Sequence, residues 1–164
     1  MLTCRDLCEG ELRALLERFG LTLIEVVVEV SIPGSYWGEP EAGIIGEKVF
    51  VRPDTPVHSA LHEACHLIVK PAQERIELHT SASDSIDEED ATCYLQIVLA
   101  DRLQGVGRER LMADMDAWGY SFRLGSARAW FETDADNARD WLVERGVLDA
   151  DGHAVIGRDA DIAR

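Results

Sequence analysis

The sequence predicts a single α+β domain spanning residues 1–164, with a small antiparallel sheet packed on a helical layer. Segments with apolar residues at helical spacing flank short runs rich in β-branched residues, which are typical of strands. The composition agrees, because 46% of the 164 residues are hydrophobic and 29% are charged. A chain of about 150 residues can bury roughly two thirds of its unfolded surface, enough for a hydrophobic core.

The first third of the chain predicts one helix and two strands. Apolar residues between Leu7 and Phe19 have helical spacing, and Gly20 is a natural stop. The segments "LTLIEVVVEVSI" and "IIGEKVFV" are rich in β-branched residues and are predicted strands. A Gly- and Pro-rich loop that carries Tyr36 and Trp37 lies between them.

The remainder is predicted to be mainly helical. One helix runs from Pro56 to Pro71, with a cap at Asp54 or Thr55. Glu74–His79 is a predicted short strand, and an acidic cluster then opens a strongly apolar helix that continues to about Leu103. The segments "ERLMADMDAWGYSF" and "SARAWFETDADNARDWLVERGVL" each predict one further helix.

Charge and cysteine usage limit the classes of partner. The net charge of -15 disfavours binding to phosphate backbones, so we expect no nucleic-acid partner. No stretch approaches the roughly 20 apolar residues needed to span a bilayer. The cysteines form no CxxC pair and are predicted to be reduced, which indicates a cytoplasmic protein; they are Cys4, Cys8, Cys65 and Cys93.

The segment "PVHSALHEACHLIVKP" contains the pattern HExxH. His62 and His66 are four residues apart, so both imidazoles lie on one helix face and can bind one zinc ion. Glu63 points to the side of that face and can accept a proton from a zinc-activated water. The competing interpretation is structural: both histidines are partly buried and bond to carboxylates of a neighbouring helix.

A catalytic zinc site needs a third protein ligand and an open position. The acidic start of the next helix supplies candidates some twenty residues beyond His66. We predict Glu88, because it lies on the face that continues through the apolar residues of that helix. Glu89, on a less apolar line, and Asp84, in the preceding loop, are the alternatives.

"HEACH" followed by "EEDATCYLQ" resembles the zincin metallopeptidases, and more narrowly the gluzincin branch. Small bacterial zincins of the ImmA/IrrE kind have a similar plan. The resemblance covers roughly Ile44 to Leu103. It implies a zincin-like fold, with His62, His66 and Glu88 as Zn²⁺ ligands and Glu63 as general base. It also implies that "IIGEKVFV" is an edge strand along which a peptide substrate lies by strand addition.

The predicted function is a zinc-dependent metallohydrolase, a metallopeptidase acting on a peptide or protein substrate. The alternative is a non-catalytic, zincin-like binding module with a structural metal or none. His58 is predicted to be a bystander on the histidine stripe. The chain offers several candidates for a donor to the oxyanion, and none stands out: Tyr36, Tyr120, Arg123 and His153. The tryptophans Trp118, Trp130 and Trp141 are predicted to lie in the core.

Overall fold

The computed structural model describes residues 1–80 and 85–157. Over these residues the chain is an α+β fold of seven α-helices and one three-stranded sheet. The helices are α1 (Glu11–Glu17), α2 (Val57–Ile68), α3 (Ala72–Arg75), α4 (Ile86–Ala100), α5 (Gly107–Trp118), α6 (Ala127–Thr133) and α7 (Asp136–Glu144). The strands are β1 (Thr22–Glu25), β2 (Gly43–Ile45) and β3 (Lys48–Val51). Within the described ranges, no helix has the length and apolar character needed to cross a membrane.

The sheet is mixed, so the expectation of a purely antiparallel sheet was wrong. Its order is β1-β3-β2, with β1 parallel to β3 and β2 antiparallel to β3. The segment "IIGEKVFV" is not one strand but a hairpin, because its chain reverses at Gly46, whose φ is 60°. The long loop after β1 lets β3 return beside it in the same direction.

The first strand is shorter than its sequence suggests. β1 ends at Glu25 and makes one more contact, from the Val26 amide to the Val51 carbonyl at 2.8 Å. β3 ends at that residue, so the following valines have no strand to pair with. Val27 and Val28 are 61% and 43% exposed. The valines after β1 favour a strand by their β-branched side chains, but β1 ends where its partner β3 ends. The length of β3, and not the local sequence preference, therefore sets the end of β1.

The outer edge of β2 is already occupied by the chain itself. The Ile44 amide donates to the Gly34 carbonyl at 3.3 Å, and the Thr80 amide donates to the Ile44 carbonyl at 2.9 Å. Gly43 permits this close approach, since a Cβ there would clash with the Pro33 carbonyl oxygen. The predicted edge strand for peptide addition is therefore corrected: β3 is central, and the β2 edge is covered.

The opposite edge of the sheet is covered more sparingly. On β1, the Leu23 carbonyl points away from β3 and accepts a hydrogen bond from Nη1 of Arg13 at 2.7 Å. Arg13 lies on α1, which packs against β1. One arginine thus satisfies one of the main-chain acceptors on the outer side of this short strand.

Helix α2 occupies the centre of the molecule. It contacts α4 and α5 on one side and β2 and β3 on the other, and ten of its twelve residues are buried. Pro56 takes the N-cap position, so the prediction of a cap at Asp54 or Thr55 was wrong. The Thr55 hydroxyl instead accepts from the Arg52 amide at 2.8 Å, and Asp54 pairs with the Arg52 side chain.

Two other predictions of secondary structure were wrong. Glu74–His79 begins within the short helix α3 and pairs with β2 only through an isolated bridge between His79 and Ile45. The segment "SARAWFETDADNARDWLVERGVL" forms two helices, because α6 ends at Thr133 and α7 starts at Asp136. Ser126 caps α6 by accepting a hydrogen bond from the Ala129 amide at 3.1 Å.

Candidate metal centre

Helix α2 brings the two motif histidines together. The ring centroids of His62 and His66 are 4.6 Å apart, and their Nε2 atoms are 3.0 Å apart. His66 is buried, whereas His62 is partly exposed toward a cavity. The four-residue spacing thus gives the one-face arrangement that the sequence predicts.

Helix α4 supplies a carboxylate to this pair. The Oε1 atom of Glu89 lies 2.9 Å from Nε2 of His62, and its Oε2 atom lies 3.4 Å from Nε2 of His66. One ligand atom from each of the three residues lies within 4.8 Å of the other two. Two imidazole nitrogens and a carboxylate are the ligand types that a catalytic zinc site uses.

Glu88, the predicted third ligand, points elsewhere. Its Oε1 atom lies 2.9 Å from Nζ of Lys70, just beyond the end of α2, and both side chains are largely buried. Consecutive helical residues project about 100° apart, so only one of the two glutamates can face the histidines. The structure brings Glu89 to the histidines, which corrects the choice of Glu88. Asp84, the other alternative, lies outside the described residues.

The apolar-face argument chose the wrong glutamate because α4 has no exposed side over most of its length. All residues from Ala91 to Ala100 are buried. In such a helix, apolar neighbours do not identify an inward face, since every face is inward. The informative residues are the buried polar ones, which need partners. Thr92 and Gln96, close to the line of Glu89, are 0% exposed and face the histidines.

Gln96 fixes the tautomer of His62. Its Nε2 atom donates to the His58 carbonyl oxygen at 3.2 Å, and that oxygen can only accept. The Gln96 Oε1 atom must then face Nδ1 of His62, at 2.6 Å, so Nδ1 carries the hydrogen. The lone pair of His62 is consequently on Nε2, which faces Glu89.

Thr92 has the same effect on His66 through a longer contact. Its hydroxyl donates to the Glu88 carbonyl oxygen at 2.8 Å, which uses its only hydrogen. The Thr92 oxygen can therefore only accept from Nδ1 of His66, 3.4 Å away. This leaves the lone pair of His66 on Nε2 as well. The two Nε2 atoms that face each other therefore both lack a hydrogen.

Two bare nitrogens 3.0 Å apart beside a carboxylate require a positive charge between them. A shared proton or a metal ion satisfies this requirement. Burial opposes the imidazolium of His62, but its neighbours, the Glu89 carboxylate among them, outweigh that effect and hold its pKa well above the usual value. Burial and the neighbouring His62 lower the pKa of His66 to about 3. The donor set and its fixed tautomers therefore fit zinc.

Glu63 lies beside this centre and lines the same cavity. The cavity has a volume of about 600 Å³, within the range of ligand pockets, and also includes His62, His66 and Glu89. Burial raises the pKa of Glu63 to about 7, while the nearby His62 lowers it. A carboxyl group with this pKa exchanges protons readily near neutral pH.

Of the four candidate oxyanion donors, the structure places two at the cavity. Tyr36 and Tyr120 line it, whereas Arg123 pairs with Asp134 and His153 lies exposed beside Asp149. The Tyr120 ring centroid is 5.8 Å from that of His62. Burial raises the pKa of Tyr120 to about 12, so its hydroxyl keeps its hydrogen.

His58, which was predicted to be a bystander, lies outside the group of candidate ligands and contacts Tyr120. Its Nδ1 atom lies 3.1 Å from the Tyr120 hydroxyl, and burial lowers its pKa to about 4. His58 thus positions the tyrosine at the cavity.

The tryptophans and cysteines behave in part as predicted. Trp130 is buried, but Trp118 is 41% exposed at the cavity rim, which corrects its assignment to the core. Trp141 is half-buried and packs against the core. Cys65 is buried, and Cys93 is buried with its thiol against His62.

No protein family, curated protein or solved structure matches this chain. The site must therefore be interpreted from its own geometry. Two of its features, Gln96 and the cavity-lining Glu41, were missed by sequence reasoning. Gln96 could have been recognised as an amide in the middle of an otherwise apolar helix. Glu41 lies in a loop, and its local sequence gave no signal of a role in the site.

Proposed function

We propose that this chain is a zinc-dependent metallohydrolase with a zincin-like arrangement, acting on peptide bonds. One observation carries the proposal: ligand atoms of His62, His66 and Glu89 lie within 4.8 Å of one another, beside the half-buried Glu63 in a cavity. The resemblance to gluzincins implies the same division of roles, with an HExxH helix followed by a glutamate on the next helix.

Zinc, when bound by these three residues, would lower the pKa of a water molecule toward about 7 and polarise the substrate carbonyl. The chain supplies the proton transfer. Glu63 accepts a proton from the attacking water and returns it to the leaving amine nitrogen. Its raised pKa suits both steps, because the group neither holds nor releases the proton too strongly at neutral pH.

Tyr120 is the best-placed donor to the developing oxyanion. Its hydroxyl oxygen lies 3.1 Å from Nδ1 of His58, and the ring lines the cavity near His62. A neutral donor fixed before substrate arrives stabilises negative charge without the cost of reorganisation. A cytoplasmic location belongs to the same proposal, and the free state of Cys4, Cys8, Cys65 and Cys93 supports it.

Metal analysis and peptide hydrolysis test the proposal directly. The purified protein should carry one zinc ion per chain after loading, and His62→Ala should carry none. Glu63→Gln should retain the zinc and lose about 10²- to 10⁴-fold in kcat, because only the proton carrier is removed. His79→Ala, which removes an exposed histidine outside the ligand set, is the matched control.

Two results would contradict parts of this assignment. A protein that binds no zinc under any loading condition refutes the metal site. A protein that binds zinc but cleaves no member of a diverse peptide mixture is better described as a zincin-like binding module. Unchanged turnover in Glu63→Gln would remove that residue from its role.

A further inference from the structure

The cavity above the metal centre contains several carboxyl groups. Three carboxylates line it, those of Glu41, Glu63 and Glu89, and the described lining includes no lysine or arginine. Two of the three have roles in the proposed function, since Glu89 faces the histidines and Glu63 carries the proton. Glu41 has no such role, so its presence in the cavity calls for another explanation.

Glu41 is held in place but not neutralised. Its Oε1 atom accepts a hydrogen bond from Nε1 of Trp118 at 2.7 Å. Among residues 1–80 and 85–157, no basic side chain forms an ion pair with it. Partial burial raises its pKa, which shows that a negative charge there is costly without a partner. A cationic ligand would remove that cost.

Aromatic rings line the same cavity. Tyr36 and Trp37 contact each other edge to face, with centroids 4.8 Å apart, and are 59% and 76% exposed. Together with Trp118 they line the cavity that Glu41 also lines. A cavity that presents both a carboxylate and aromatic rings is suited to bind ammonium and guanidinium groups.

We propose that Glu41, together with the rings of Trp37 and Trp118, binds a cationic group of the peptide substrate. That group is either a lysine or arginine side chain or a free α-amino group, which share the same chemistry. The net charge of -15 favours the approach of such peptides. The designation of the ligand as substrate rests on the proposed function, whereas binding of the cation does not.

Binding is measured first, so that the result does not depend on turnover. Zinc-loaded Glu63→Gln protein is titrated calorimetrically with blocked Ala-Ala-Lys-Ala-Ala, blocked Ala-Ala-Nle-Ala-Ala, and the norleucine peptide with a free amino end. At least one cationic peptide should bind about 10-fold more tightly than the blocked norleucine peptide. The lysine peptide reports on a side-chain cation, and the free-amino peptide reports on an α-amino group.

The Glu41→Gln change, added to Glu63→Gln, should abolish this preference, because glutamine keeps an acceptor for Trp118 but loses the charge. Glu17→Gln removes one exposed carboxylate from α1 and should leave the preference intact. Equal binding of all three peptides, no binding of any of them, or a preference that survives Glu41→Gln overturns the proposal.

Turnover by otherwise unaltered protein separates this proposal from the proposed function. Cleavage of both lysine and norleucine peptides at equal kcat/KM supports hydrolysis and contradicts cation recognition. A cation preference in binding, without cleavage of any peptide, supports Glu41 and contradicts the hydrolase. Both proposals hold if cleavage favours the cationic peptide and Glu41→Gln removes that advantage.

Discussion

The two sides of the cavity differ in how completely their side chains are held. On the side formed by α2 and α4, the Nδ1 atoms of the two motif histidines face Gln96 and Thr92, and backbone carbonyls determine which atoms carry hydrogen. On the open side, Trp37 and Tyr36 are mostly exposed and contact chiefly each other. The first side suits a fixed ion, and the second suits a varied ligand.

This difference separates affinity for metal from recognition of substrate. A ligand set works only if its lone pairs already point at the ion, which requires a rigid second layer of hydrogen bonds. A substrate subsite tolerates side chains that adjust. Changes on the α2–α4 side should therefore alter zinc affinity, and changes on the open side should alter KM.

The largest expected effect distinguishes the two neighbouring glutamates of α4. Glu89→Gln should weaken zinc binding by more than about 100-fold, since loss of a ligand costs more than loss of a supporting residue. Glu88→Gln should leave zinc affinity unchanged but lower the free energy of unfolding by about 2 kcal/mol, because it removes the charge that pairs with Lys70. Competition with a chromophoric chelator and urea denaturation measure the two quantities. The reverse pattern would restore Glu88 as the ligand.

A second test addresses Tyr120, which contacts His58 of α2 and also lines the cavity. Tyr120→Phe keeps the ring and removes the hydroxyl that contacts Nδ1 of His58. We expect kcat to fall about 100-fold, with zinc affinity and KM little changed. Steady-state kinetics on a cleaved peptide give all three values when combined with metal titration. An equal loss in zinc affinity would mean that the hydroxyl supports the ligands instead of the reaction.

The smallest expected effect comes from Gln96. Gln96→Leu removes the acceptor for Nδ1 of His62 and should weaken zinc binding roughly 10- to 100-fold. Competition with a chromophoric chelator measures this loss. Gln96→Glu, which retains an acceptor for Nδ1 of His62, should restore zinc affinity, and failure to do so contradicts the role of Gln96.

Sequence reasoning succeeded where the signal is local. The bounds of α2 follow from Pro56 and Pro71, and the spacing of His62 and His66 depends only on helix periodicity. It failed where an assignment depends on the element that packs or pairs against the segment. β1 is short because β3 is short, and Glu89 instead of Glu88 faces α2 because of the rotation of α4, which a uniformly buried helix does not reveal.

Residues far apart in the chain were the hardest to assign. Trp118 and Tyr120 reach the cavity at the end of α5, more than fifty residues beyond His62, and Glu41 arrives from a loop. Nothing in their local sequence distinguishes them from core or surface residues. The α+β class itself was predictable, since it follows from the order of helical and β-branched segments, but the mixed sheet was not.

The covered edges of the small sheet bear on how the molecule behaves at high concentration. Unpaired strand edges are the usual template for aggregation between protein copies. Here the chain at Gly34 and Thr80 closes one edge and Arg13 caps a carbonyl on the other. The β2 edge is thereby given little main chain to pair with, whereas the exposed valines after β1 lie outside this protection. The same loop contacts that deny a peptide access to β2 therefore also deny that edge to a second copy of the chain.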